Sequence, residues 1–237
     1  MGRGLLQKLS SILAFRVSIE DQDAFTYINQ IASTCDISQL ILILDGGFIG
    51  RSDDNDTGNK SYNFSDLLDT LDDRFTRNLP KATICAFSSF PSAVGKKPYG
   101  EYNQGKFPIS EVITNKALQK SYKFILHGDY GSVHPFRYET AGGGWVPRVD
   151  FLTEDSFYYH RYQRENGGYI KAASEVISDS NYRRIRGVDV WGDQEILAAA
   201  NNTPNGLSPS HWIAVRINLY ITKQYLRLTK GSSYISL

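Results

Sequence analysis

The stretch KFILHGDYGSVHP, residues 123–135, leaves an apolar run through His127, Gly128 and Asp129, and a second histidine, His134, follows soon after. A turn uses a glycine and an aspartate but has no need of two imidazoles. Imidazole and carboxylate side by side can move protons or hold a divalent metal. His127 and Asp129 face one side if extended backbone persists through Gly128. Other apolar runs end on comparable groups: LILIL enters Asp45-Gly46-Gly47, ATICAF enters Ser88-Ser89-Phe90-Pro91, and RVDFL enters Thr153-Glu154-Asp155. The candidate catalytic groups are therefore Asp45, Asp129, His127 and His134, and the candidate metal ligands are Asp45, His127 and Asp129. Arg16, Ser88, Ser89, Asp155 and Asp193 are candidates for holding a ligand. Each has a plain structural use when taken alone, as a loop cap, a backbone partner or a hydrogen-bonded interior histidine. Their coincidence at successive strand ends is what points to a polar mouth.

Other motifs say less. DDNDTG, residues 53–58, begins like a calcium loop, but Phe64 stands where the bidentate glutamate belongs. AGGGW lacks the Lys-Ser/Thr of a phosphate-cradling loop, and no GxSxG elbow or HExxH helix is present. Asp193, in Trp191-Gly192-Asp193, is placed to cap a helix over QEILAAAN. YYHRYQR reads as a half-buried strand.

The elements that position these groups follow from periodicity. ILAFRV (12–17), LILIL (40–44), ATICAF (82–87) and FILH (124–127) are short and rich in β-branched residues, with helix-length gaps between them. The first gap holds Phe25, Ile28, Ile31 and Ala32 at helical spacing behind Asp21. The second holds Leu67, Leu68, Leu71 and Phe75 behind Ser65, and the third holds ISEVITNKALQ. Apolar strands joined by helical crossovers imply a parallel sheet covered by helices, with ligands at the carboxyl ends of the strands. RVDFL (148–152) is expected as a fifth strand. Beyond it, GYIKAASEVIS, QEILAAAN and SHWIAVRINLYITKQYLRL read as helices, the last presenting Trp212, Val215, Leu219 and Leu226 on one face. The expected architecture is a single α/β domain over 1–237. Residues 1–155 form about five strand–helix units of an incomplete, TIM-barrel-like parallel sheet, and 156–237 form a mainly helical extension packed on it.

With 41% hydrophobic residues and a formal net charge of +1 over 237 residues, the chain reads as globular, and nucleic acid is not indicated. Cys35 and Cys85 lack metal-ligand spacing and read as reduced thiols of a cytoplasmic protein. No apolar run approaches the ~20 residues of a membrane helix.

FILHGDYGSVHP, then TEDSFYYHR, VWGDQEILAAA and HWIAVRINLYIT, in that order, resemble the phage and prophage beta protein family. LDGG and AFSSFPS upstream agree with it. The positions matching its motifs are Asp45, Ser89, Pro91, Gly128, Asp129, His134, Gly192, Asp193, Trp212 and Asn218. The chain departs from the pattern at Asp150-Phe151-Leu152, at Phe157, where tryptophan is expected, and at Leu219-Tyr220, where a His-His pair is expected. The resemblance implies a barrel-like α/β fold and a mobile-element protein, in some members set beside a toxic partner that it restrains and linked to defence against phages. It implies no established reaction. Three readings stand: a binding or regulatory component; a metal-assisted hydrolase of a phosphoester or nucleotide, for which the divalent metal would be the cofactor; or a purely structural protein whose mouth is plugged by side chains. The expected partner is a protein encoded by the same mobile element, or a second copy of the chain, with ILAFRV as an edge strand awaiting cover.

Overall fold

The computed structural model describes residues 12–50, 57–75, 78–95, 99–136, 145–184 and 189–230, and the side chains of all of these except 57–63, 74, 75 and 230. The start of the calcium-like loop and the AGGG of AGGGW lie outside the described residues. The chain divides into two compact units, one of residues 1–89 and 110–130, the other of 90–109 and 131–237.

The first unit is a parallel sheet of β1 (Leu13–Ser18), β2 (Leu40–Phe48), β3 (Ala82–Ser88) and β5 (Ile125–Asp129), laid down in that order. The crossovers contain α1 (Ala24–Thr34), α2 (Thr57–Phe75) and α3 (Ser110–Ser121). The second helix starts well before Ser65, so that residue lies inside it rather than at its start. In-register neighbours share a face, and residues two apart along a strand return to it. One face carries Val17, Leu40, Leu42, Leu44, Cys85 and Ile125, buried against Ile28 of α1 and Phe64, Leu68 and Leu71 of α2. Each large aliphatic side chain so buried contributes about 1.5–3 kcal/mol. Phe64, which displaces the glutamate of the calcium pattern, is one of these core groups, 4.9 Å from the Phe87 ring. The opposite face carries Ala14, Arg16, Ile41, Ile43, Ile84 and Leu126. Ala14 and Leu126 are exposed and the isoleucines half-buried. A sheet whose strands are added in one direction by right-handed crossovers receives its helices on one side only. The apolar residues on both faces therefore do not mean helices on both faces.

The second unit corrects the expected fifth parallel strand. β6 (Arg148–Leu152) pairs antiparallel with β7 (Ser156–Arg161), which pairs antiparallel with β4 (Gln104–Pro108), a separate sheet of order β4-β7-β6. The reason is the length of the connection. The Thr153 N–H donates to the Ser156 carbonyl at 2.9 Å around Glu154-Asp155, and a turn this tight allows only a hairpin. The parallel sheet thus contains four strands among the described residues rather than five. Helices α4 (Gly168–Ser178), α5 (Trp191–Ala200) and α6 (Pro209–Lys230) complete the unit. Gly167, at φ 97°, gives α4 its left-handed entry. The core contains Phe90, Phe107, Phe157 and Tyr220, with Phe157 stacked on Phe107 at 5.2 Å and on Tyr220 at 5.6 Å. Two departures from the family pattern, Phe157 and Tyr220, are thus packed on one another. Among the described residues no helix is long and apolar enough to cross a membrane.

Candidate functional site at the strand ends of the parallel sheet

Asp45 ends the regular part of β2, where the register shifts between Asp45 and Gly47 and Gly47 takes φ 63°. Its carboxylate turns to the face opposite the helices. Oδ2 accepts from Arg16 Nε at 3.0 Å and Nη2 at 2.5 Å, while Oδ1 accepts from the Gly47 N–H at 3.0 Å and from the Tyr130 hydroxyl. Arg16 also donates to the Tyr130 oxygen at 2.6 Å, and its guanidinium lies 5.3 Å from that ring's centre. Burial first, and then the bond to Asp45, push the Tyr130 hydroxyl well above its ordinary value, so it remains a donor. The bond to Asp45 raises Arg16 as well. Arg16 is 56% exposed and Asp45 14%, so the open end of this network is the guanidinium. Both Asp45 oxygens are therefore engaged within this network, two donors on each.

His127 and Asp129 are brought together as their spacing suggests, with Nε2 3.1 Å from Oδ2. They share the parity of Ile125, which lies on the helix-covered face, whereas Asp45 shares that of Ile43 on the other. Strand alternation thus sends the three proposed metal ligands to two sides of the sheet. Among the described residues no three His, Cys, Asp or Glu side chains group so as to hold a metal ion. The imidazole–carboxylate pair at β5 has the form of an oriented proton acceptor.

Ser88 and Ser89 are buried. Ser88's carbonyl accepts from the Ile49 N–H at 2.8 Å. Ser89 is bound to a residue that the sequence reading did not single out. The carboxylate of Glu111, in the first turn of α3 and 1% exposed, accepts from the Ser89 hydroxyl and, at 3.0 Å, from its N–H. Ser89 Oγ in turn accepts from the Ser110 N–H at 3.1 Å, so strand end and helix start are latched together. At the outer edge of β1, a groove of about 490 Å³ is lined by Phe15, Arg16, Tyr27, Gln30, Ile31 and Thr34 among others.

The remaining candidates belong to the second unit. His134 Nδ1 accepts from the Phe136 N–H at 3.1 Å, and burial lowers its affinity for a proton. Asp155 sits in the hairpin turn, accepting from the Thr153 hydroxyl at 3.1 Å. Asp193 is not an N-cap. Helix α5 begins at Trp191 after Val190, and the Gly192 N–H is satisfied from α6 by Asn218 Oδ1 at 2.9 Å. The buried Asp193 carboxylate accepts from the Tyr182 hydroxyl at 3.0 Å. Sequence reasoning also missed Asp150, 4% exposed, between Arg148 at 3.0 Å and the buried Arg216 at 3.2 Å, whose guanidinium lies 4.0 Å from the centre of the Phe90 ring. Two more histidines pair with acids: His160 with Asp179 at 2.9 Å and His211 with Glu195 at 3.1 Å. Only acid–base partners distant in sequence could reveal such pairs, and a single sequence carries no signal of them.

Fold and site define an α/β protein with a parallel sheet wound in one direction, an ion-pair network on the face opposite its helices and a second, antiparallel sheet. The chain belongs to the Beta protein family, whose pattern it matches over residues 7–226. It is similar to Protein beta of Enterobacteria phage P4, at 29% identity over 233 residues, 97% of this chain and 62% of that protein. The chain therefore spans less than two thirds of the curated relative's length. No solved structure matches it.

Proposed function

We propose that this protein is a binding or regulatory component of a phage or prophage module, acting in the cytoplasm to restrain a toxic partner or to take part in defence against phages. The face of its parallel sheet opposite the helices, with the adjoining β1 edge, is where a protein partner docks. The observation that carries this reading is the one-sided winding of the sheet. Parallel sheets are ordinarily covered on both faces, or closed into a barrel whose inner face packs on itself. Here Ala14 and Leu126 are exposed on the face opposite the helices. On this reading the four strands are part of a TIM-barrel-like sheet whose inner face is completed by another protein, and Arg16 sits at the mouth as the recognisable charge.

A second reading rests on the His127–Asp129 pair: a metal-assisted hydrolase of a phosphoester or nucleotide. It requires a nucleophile and further ligands beyond that pair. The two are separated by expressing the gene with and without its genomic neighbours and scoring growth and phage plating. The docking reading expects Leu126→Asp and Ala14→Arg to abolish the effect without changing the circular dichroism, and His127→Ala to retain it. The reverse pattern selects the hydrolase. Retained activity in all three variants overturns docking on this face.

A further inference from the structure

Trp145 leads into β6 and Tyr169 stands in the first turn of α4, both within the second unit. The indole is 44% exposed and the phenol 3%. Trp145 Nε1 donates its hydrogen to the Tyr169 oxygen at 2.9 Å, and the Tyr169 ring is stacked on Trp212 of α6, 5.1 Å away with 10° between the planes. An indole nitrogen can only donate, whereas a phenol both donates and accepts. Here the Tyr169 oxygen serves as an acceptor, and its own hydrogen has no acceptor among the described residues. Burial raises the phenol above its ordinary value, although the Trp145 bond and Arg164 act the other way, so the hydroxyl keeps its proton.

Indole and phenol are among the side chains most readily oxidised by one electron, and of this pair a diffusing oxidant reaches the indole. We propose that Trp145 and Tyr169 form a hydrogen-atom relay, which takes an oxidising equivalent from a diffusible one-electron oxidant at the surface and delivers it to the buried phenol. In the first step the exposed ring gives an electron to the oxidant and its Nε1 proton to water, leaving a neutral indolyl radical. Its bare Nε1 then faces the Tyr169 hydroxyl across the same contact, now as the acceptor. Transfer of the hydroxyl hydrogen, one proton and one electron together, restores Trp145 and leaves a neutral phenoxyl radical at Tyr169. The phenoxyl is the more stable of the two radicals near neutral pH. No charge is created in the step, so burial, which penalises charged forms, does not oppose it. Moving the electron alone would leave a phenol cation in a buried site. Trp212 shares a ring face with Tyr169 but no path for the proton, because its Nε1 donates to the Gly206 carbonyl at 3.0 Å. Trp191, the third tryptophan, has His211 as its ring neighbour, 5.7 Å away.

The test is pulse radiolysis of the full chain with azide radical as the oxidant, in a Trp191→Phe background so that oxidation enters at Trp145. The indolyl absorbance should decay as the phenoxyl absorbance grows, at a rate independent of protein concentration. The rate should fall in heavy water, because a proton moves in the step. Tyr169→Phe, which keeps the ring stack, should slow the indolyl decay by about tenfold or more. Trp145→Phe removes an exposed ring, leaves the core intact and should abolish the phase. A decay unaltered by Tyr169→Phe, a phase that survives Trp145→Phe, a rate proportional to protein concentration, or a rate unchanged in heavy water overturns the proposal.

Discussion

At the scale of single residues, the buried charges decide more than the exposed ones. Asp193 accepts from the Tyr182 hydroxyl rather than capping α5, and the two roles make different demands. An amide can accept that bond in place of the carboxylate, whereas a serine, which serves well as a cap, is too short to reach the phenol. Asp193→Asn should keep most of the stability and Asp193→Ser should lose about 1–3 kcal/mol, measured by urea unfolding. Equal stability of the two variants would restore the capping role. Lys223 offers a pH test. Burial pushes its ammonium down to about 8 from the ordinary 10.5, although Nζ donates to the Leu152 carbonyl. Between those two pH values the unfolded chain binds the extra proton, so stability contributed at this position rises with pH across that window. The wild type should therefore gain on Lys223→Met by about 3 kcal/mol between pH 7 and pH 10.5. The Cys85 thiol, pushed up to about 12 by burial, slopes the other way but is common to both proteins and cancels. A pH-independent difference would mean that the lysine is solvated.

At the scale of elements, close approach of α5 and α6 depends on one glycine. A Cβ at Gly192 would stand 2.6 Å from Leu219 Cγ and 3.0 Å from the Val215 carbonyl oxygen. Gly192→Ala should force the helices apart and cost about 1–3 kcal/mol, read as a lowered urea midpoint. An unchanged midpoint would mean that α6 shifts freely. The four parallel strands and the helices α4 to α6 were legible because each is bounded by polar residues and has one period. RVDFL was legible as a strand but not in its direction, since four of its five residues are buried. A strand buried on both faces looks the same in sequence whether its neighbours run parallel or antiparallel. Its Thr-Glu-Asp turn lacks the Asn-Gly or Asp-Gly of a recognisable hairpin. β4, QGKFP, has too little alternation to announce itself. Within the site, His127 and Asp129 were legible from a spacing of two, but the Arg16–Asp45–Tyr130 network was not. It joins Asp45 to Arg16 and Tyr130, 29 and 85 residues away in the chain. The α5 start was misread for the same reason, because its cap comes from Asn218, 26 residues on.

At the scale of the whole molecule, the proposed function sits on a surface rather than in a pocket. The face of the parallel sheet opposite its helices combines exposed Ala14 and Leu126 with the exposed guanidinium of Arg16, tethered to Asp45, and is the surface proposed for protein recognition. The most direct measurement is titration calorimetry of the purified chain against each protein encoded beside its gene. The account predicts that one of them binds, and that Leu126→Asp and Ala14→Arg each weaken that binding by tenfold or more while His127→Ala leaves it unchanged. Binding that survives both surface variants, or no binding by any neighbouring product, would contradict it.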